Sequence, residues 1–328
     1  MVAQLDGSFI RLGKGRACTR LISYLFYEGR PLTTRGRFIN PLLKALFFLQ
    51  VKLAPHRRIE EPIYIVGLGR SGTTVLGTTL GIHREVGFLN EPKAMWSYLF
   101  PAEDLIGSYR EDAAHYVLDG GQVDNRLRRE AGRLFGAYLF FSGSRRLVDK
   151  YPEMLFRADF LRALFPDARI IFLHRNGWDV CRSIDAWSDE KGVSENGVRI
   201  DWWGRDDRKW RYLCEQVVAS DDTLGEHVEK ISRYVDQRHR AAVEWIVSMK
   251  RGLELAEEPG VLSLAYSDYV SSDLVRREVL EFCRLPADAS FDQYCSVVLE
   301  KRESHAGFDL PAEISGEFHR VMECLDYE

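Results

Sequence analysis

Residues 62–67 (PIYIVG) form a short, β-branched apolar run ending in glycine. The chain then passes at once into a turn carrying Gly69 and Gly72, ahead of an apolar stretch from Thr73 to Gly81. A buried strand, a tight glycine turn and a helix in that order open a parallel α/β unit, because parallel strands require a crossover and both sheet faces are then covered. Three further runs repeat the pattern: Arg146–Asp149 (RLVD), Arg169–Leu173 (RIIFL) after the turn signal Phe165-Pro166-Asp167, and Val261–Ala265 (VLSLA) before a helical stretch from Asp273 to Cys283. The expected fold class is therefore α/β, a parallel β-sheet flanked by helices. A tract rich in Trp and charge, about 188–244 (it contains DWWGRDDRKW), breaks the alternation and reads as a helical insertion.

Charge divides the chain. Its 328 residues carry a formal net charge of −4, which argues against a whole-chain nucleic-acid binder. Residues 1–58, however, hold eleven Lys/Arg against Asp6 and Glu28, a balance of +9 that leaves −13 for the rest. The expected organisation is a basic N-terminal helical arm over 1–58 and one α/β domain over 59–328. Asn40 before Pro41 reads as a helix start, Asn as the cap and Pro at the first helical position. The arm's two apolar stretches, Leu21–Tyr27 and Leu42–Leu53, are too short to span a bilayer, and the first lacks the small-residue cleavage site of a signal peptide, so a cytoplasmic protein is expected. Such an arm has two readings: it lies on an anionic membrane surface, or it packs on the main domain or a second subunit. The sequence leaves oligomeric state open. Six scattered cysteines without a C-x-x-C pair, and eight histidines without paired spacing, imply neither a disulfide frame nor a bound metal.

The loop Gly67-Leu68-Gly69-Arg70-Ser71-Gly72-Thr73-Thr74 carries the functional signal. Its glycines let backbone N–H groups converge on an anion at the positive end of the following helix, as in a P-loop. Yet Thr73 stands where a nucleotide triphosphatase has its lysine, and a basic group, Arg70, stands three residues earlier. Arg175, at the end of the RIIFL strand, adds a permanently charged fork suited to phosphate, with Ser183 eight residues on.

In these residues the chain resembles the sulfotransferases that use 3′-phosphoadenosine 5′-phosphosulfate (PAPS). PIYIVGLGRSGTT resembles the family's 5′-phosphosulfate loop (Gly69, Arg70, Ser71, Gly72, Thr73 and Thr74), and FPDARIIFLHRNGWDVCRS its 3′-phosphate motif (Arg175, Ser183). Leu89-Asn90-Glu91-Pro92 places Glu91 where tyrosylprotein-type and related bacterial members have a catalytic carboxylate. Val148-Asp149-Lys150-Tyr151-Pro152 resembles a K-x-P step, which makes Lys150 the matching lysine. Ala265-Tyr266-Ser267-Asp268-Tyr269-Val270 resembles a signature that sets Tyr266 near the adenine. Two departures stand out: Asn176-Gly177 where the family often has Asp-Pro, and Arg70 where cytosolic members usually carry lysine. Lys301-Arg302 corresponds only by position to the family's last phosphate-binding loop.

The resemblance implies a P-loop-like sulfotransferase fold and in-line transfer of a sulfuryl group from PAPS, as donor co-substrate, to an acceptor hydroxyl on a glycan, lipid or small molecule. Glu91 would be the general base, Arg70 and Lys150 would stabilise charge on the leaving group, and no metal would be required. Trp187, Trp202, Trp203 and Trp210, with Arg205, Arg208 and Lys209, are candidates for acceptor recognition; packed core is the competing role for the tryptophans. Competing readings of the whole chain are a P-loop small-molecule kinase or NTPase, which the missing lysine opposes, and a non-catalytic PAPS-fold scaffold, which the presence of both Glu91 and Lys150 opposes.

Overall fold

The structure, a computed structural model, describes residues 3–13, 15–300 and 306–327. Three helices come first: α1 (Gly7–Leu12), α2 (Arg16–Phe26) and α3 (Asn40–Leu53). The domain then runs β1 (Ile63–Gly67), α4 (Thr73–Ile82), β2 (Val86–Asn90), α5 (Lys93–Leu99), α6 (Asn125–Phe141), β3 (Arg146–Lys150), α7 (Ala158–Leu164), β4 (Arg169–His174) and α8 (Gly177–Lys191). The tract expected to be a helical insertion also holds three short antiparallel strands, β5 (Val193–Glu195), β6 (Val198–Asp201) and β7 (Gly204–Arg205). These precede α9 (Arg208–Gln216), α10 (Val228–Ile231) and the long α11 (Gln237–Ala256). The chain closes with β8 (Val261–Ala265), α12 (Tyr266–Ser271), α13 (Asp273–Phe282), α14 (Ala289–Val298) and α15 (Ala312–Cys324).

The central sheet is parallel throughout, in the order β2-β3-β1-β4-β8. Four of its strands are those read from the sequence. The fifth, β2, was not, because Gly87 interrupts a run of only five residues. That glycine is required by packing, since a Cβ there would stand 2.9 Å from the Tyr138 ring. Alternation along the strands feeds two cores: Tyr64, Val66, Ile170 and Phe172 enter one, with α3, α6, α8 and α11, while Ile63, Ile65, Ile171 and Leu173 enter the other, with α1, α4 and α14. After β1 the chain moves toward β2, and after β4 it moves the other way toward β8. The crevice between the carboxyl ends of β1 and β4 is thus a topological switch point, where open α/β sheets take their ligands.

The N-terminal helices pack on the domain. Arg20 is buried and forms a two-pronged ion pair with Glu28, Nη1 to Oε1 at 2.6 Å and Nη2 to Oε2 at 2.7 Å, while Nη1 also donates to the Phe88 carbonyl at 3.0 Å. Arg16 reaches Ser144 Oγ at 3.2 Å. Asn40 does not cap α3, which begins at Asn40 itself behind Ile39; its carboxamide instead pairs with both backbone groups of Arg30, at 3.0 and 2.9 Å. No helix among the described residues is long and apolar enough to cross a membrane.

Candidate functional site

The loop after β1 is shaped by positive φ angles at Arg70 (71°) and Gly72 (98°), and Gly72 precedes the first residue of α4. A Cβ at Gly72 would overlap the Tyr266 ring, and one at Gly69 would stand 2.5 Å from Trp202 Cη2. Both glycines are therefore needed by close approach, with Tyr266 and Trp202 lying against the loop at different points. Ser71 Oγ is buried and has no hydrogen-bond partner among the described residues. The first amides of α4, at Thr73 and Thr74, lack intrahelical acceptors, as at any helix N-terminus.

Arg70, Arg175, Ser183 and Tyr266 come together at this loop. Arg70 Nε donates to Ser183 Oγ at 3.0 Å, so the serine supports the arginine directly. The Arg175 guanidinium stacks over Tyr266 at 5.1 Å and is oriented by Asp179 at 3.0 Å. Burial and the facing Arg175 push the Arg70 pKa below its ordinary value. Crowded cations of this kind are relieved by an anion between them, so the donor set fits a ligand with phosphate or sulfate groups. His174, next to Arg175, hydrogen-bonds the Tyr327 hydroxyl at 2.9 Å, and burial lowers its pKa to about 4. Lys301 and Arg302 lie outside the described residues.

Glu91 and Lys150 form a second group. Glu91 follows β2 with φ 50°, its amide bonded to the Lys150 carbonyl at 2.7 Å and its Oε1 accepting from Lys150 Nζ at 2.5 Å. Lys93 Nζ stands 3.6 Å from the other oxygen. Burial by itself would raise the Glu91 pKa, but Lys150 and Lys93 outweigh it and hold the carboxyl below its ordinary value. The arm takes part as well: Glu28 Oε1 accepts the Asn90 amide at 2.7 Å, which pins the backbone just before Glu91. Sequence reading missed this contribution, since the contact joins residues 62 positions apart.

A cavity of about 390 Å³ opens beside Glu91, lined by Gly67–Gly69 of the loop, by Trp187 and Trp202, and by the arm's α2–α3 connection from Glu28 to Thr34. Its floor is a chain of buried charges. Lys93 and Lys209 approach Glu153 at 3.5 and 3.8 Å, and Lys209 Nζ reaches Glu244 at 2.6 Å. Burial pushes Glu153 upward, yet Lys93 and Lys209 bring its pKa down to about 2. Trp202 Nε1 donates to Glu244 Oε2 at 2.7 Å. Of the four candidate tryptophans only Trp187 and Trp202 reach the cavity. Trp203, in the turn between β6 and β7, and Trp210, on α9, are buried edge-to-face at 5.3 Å. Lys209 lines the cavity. Arg208 instead clamps the Asp104, Glu111 and Asp112 carbonyls, and Arg205 is not among the lining residues.

Known proteins bear on this arrangement. Nodulation protein NoeE of Sinorhizobium fredii (strain NBRC 101917 / NGR234) is 29% identical over 142 residues, 40% of this chain and 33% of that protein. An uncharacterized protein of Aquifex aeolicus (strain VF5) is 29% identical over 130 residues, 38% of this chain and 17% of that protein. The match thus spans a third or less of either relative. Among solved structures, sulfotransferase STF9 from Mycobacterium avium has a TM-score of 0.48 at 15% identity, covering 99% of this chain and 93% of that one. The sulfotransferase domain from the curacin biosynthetic pathway has 0.46 at 15%, covering 83% and 99%. The description "Sulfotransferase family" attaches to residues 62–228, which run from the first strand through the glycine loop, Glu91, Lys150 and Arg175 into the Trp-rich tract. Matched over half its length, from the glycine loop through Glu91 and Lys150 to Arg175, the chain belongs to the sulfotransferase family.

Proposed function

We propose that the protein transfers a sulfuryl group from PAPS to an acceptor hydroxyl, on a glycan, lipid headgroup or small molecule, held in the cavity beside Glu91. The acceptor oxygen forms the new S–O bond while the bond from sulfur to the bridging phosphate oxygen breaks. The acceptor proton goes to Glu91, and adenosine 3′,5′-bisphosphate leaves with the electron pair. The tasks of the chain's own groups follow from where charge develops. Lys150 and Lys93 keep Glu91 ionised and so ready to accept a proton; general-base action of this kind contributes about 10²–10⁴-fold. Arg70, with Lys150 and the amides of residues 71–74, stabilises charge on the departing oxygen and 5′-phosphate, Arg175 takes the 3′-phosphate, and Tyr266 lies near the adenine.

One observation carries this reading: the crowded guanidiniums of Arg70 and Arg175 flank the glycine loop, while the ionised Glu91 stands at the neighbouring cavity. That combination suits an anionic donor beside a hydroxyl acceptor. Thr73 in place of a P-loop lysine disfavours a kinase. The test is a thermal-shift comparison of adenosine 3′,5′-bisphosphate with ATP·Mg²⁺, followed by turnover with ³⁵S-labelled PAPS. Stabilisation by the bisphosphate supports the proposal; stabilisation by ATP·Mg²⁺ alone overturns it.

A further inference from the structure

The second and third helices of the N-terminal arm leave large apolar side chains in water, and α2 does so while burying a polar face. A helix on a globular domain buries its apolar stripe and shows water its polar one. In α2 the buried residues are Arg16, Thr19, Arg20 and Ser23, while Leu21, Leu25 and Phe26 are exposed. In α3, Leu43, Phe47 and Val51 pack on the domain, yet Leu42, Leu49 and Leu53, at a spacing of seven and four, form a second apolar stripe turned outward. Leu42 is 71% and Leu53 78% exposed, and Phe38, one turn before Leu42, is 83% exposed. The faces adjoin. Tyr27, at the end of α2, stacks on Phe47 at 6.2 Å, and Thr19 Oγ1 donates to the Ser142 carbonyl at 3.2 Å, which brings the exposed Phe140 and Phe141 alongside α2. Large apolar side chains exposed in this number on one segment mark an interaction site.

Charge identifies the occupant. Arg11, Arg35, Lys52, Arg57 and Arg58 are exposed on the arm. Its two acidic residues are both engaged inward: Asp6 caps α1 and accepts from the Tyr294 hydroxyl, and Glu28 is buried against Arg20. The arm therefore presents cations and hydrocarbon together, its own two carboxylates withdrawn and Glu60 just beyond it loosely paired with Arg58 at 3.8 Å, on a chain whose remainder carries −13. We propose that this face docks on an anionic lipid bilayer, α3 lying in the interface with Leu42, Leu49 and Leu53 among the acyl chains and Lys52 and Arg58 at the headgroups. The connection from Glu28 to Thr34 lies between the two docking helices and lines the cavity, so docking holds one wall of that cavity at the lipid surface.

The test is flotation of the full chain with vesicles of phosphatidylcholine alone and of equal parts phosphatidylcholine and phosphatidylglycerol, in low and high salt. The proposal expects binding to the anionic vesicles that weakens with salt. Lys52→Ser and Arg58→Ser should each lower affinity about fivefold. Leu42→Glu with Leu49→Glu should lower it about tenfold or more. All these side chains are exposed, so melting temperatures should stay at the wild-type value. Failure to float with anionic vesicles overturns the proposal, as does binding indifferent to these substitutions. So does a dimer, seen by sedimentation, that Leu42→Glu with Leu49→Glu dissociates while vesicle binding is absent, since a second copy would then cover the face.

Discussion

Lys150 Nζ and Glu91 Oε1 stand 2.5 Å apart at the carboxyl ends of two neighbouring parallel strands, and the backbones of the same residues are joined by a 2.7 Å hydrogen bond. Register thus sets both the charge and the position of the carboxylate. Glu91→Gln should lower turnover by about 10²–10⁴-fold while isothermal titration shows bisphosphate affinity essentially unchanged. Lys150→Met removes the larger of two charges that hold the Glu91 pKa down against burial. The acid limb of the kcat/KM profile, expected below the ordinary carboxylate range in the wild type, should then move to higher pH. A limb that stays in place would mean that another group accepts the proton.

Arg175 is the proposed partner of the 3′-phosphate. A hydrogen bond to a charged group contributes about 1.5–3 kcal/mol, or roughly 10- to 100-fold in affinity. Arg175→Ala should therefore weaken adenosine 3′,5′-bisphosphate by that factor and adenosine 5′-phosphate far less. Equal losses for the two nucleotides would place the guanidinium elsewhere.

The Arg20–Glu28 pair ties the arm to the backbone preceding Glu91. Both side chains are buried, so removing one charge leaves the other uncompensated, at a cost of about 3–5 kcal/mol. Glu28→Gln should lower the urea midpoint accordingly, and near-UV circular dichroism should report loosening around the cavity. Replacing both residues by apolar ones should cost less stability than the single change, yet still reduce turnover, because the Asn90 amide loses its acceptor.

Asp149 precedes Lys150 in β3 but points into the core, where it accepts from Trp96 Nε1 at 2.8 Å. Burial raises its pKa to about 8, and burial also raises that of Glu103 to about 7. The folded state thus holds protons that the unfolded chain releases above the ordinary carboxylate pKa. Stability contributed by these groups is full at low pH and declines as pH rises toward 7 and 8. Asp149→Asn keeps an acceptor for Trp96 and removes one of the two contributions. Urea unfolding at pH 6 and pH 8.5 should show a smaller loss for the variant, which becomes the more stable protein at the higher pH. An unchanged slope would show that Asp149 is already ionised in the folded state.

Local patterns carried the sheet and the loop. The runs behind β1, β3, β4 and β8 are continuous and β-branched, and the GxGRSGTT turn needs its glycines wherever the fold places it, so each was readable within a dozen residues. Glu91, Lys150 and Tyr266 stand out only through motifs that resemble a family's, Arg175 also through its place at a strand end, and the parallel order of the sheet sets all four at carboxyl ends of strands. By contrast β2 was hidden by Gly87, whose reason is the Tyr138 ring, and the four tryptophans looked alike until packing buried Trp203 and Trp210 against each other and left Trp187 and Trp202 at the cavity.

The arm shows the division most clearly. Its sequence alone determined a +9 charge and two apolar stretches at helical spacing, properties that belong to the residues wherever they lie. Which face would be buried was decided only by the tertiary structure, because Arg16, Arg20 and Glu28 found backbone and ionic partners on β2 and its neighbours that could satisfy them out of water. Once those polar groups were drawn inward, the leucines of α2 had no interior left to enter. Hydrophobic burial is non-directional, whereas buried charge requires particular partners, and here the partners set the orientation.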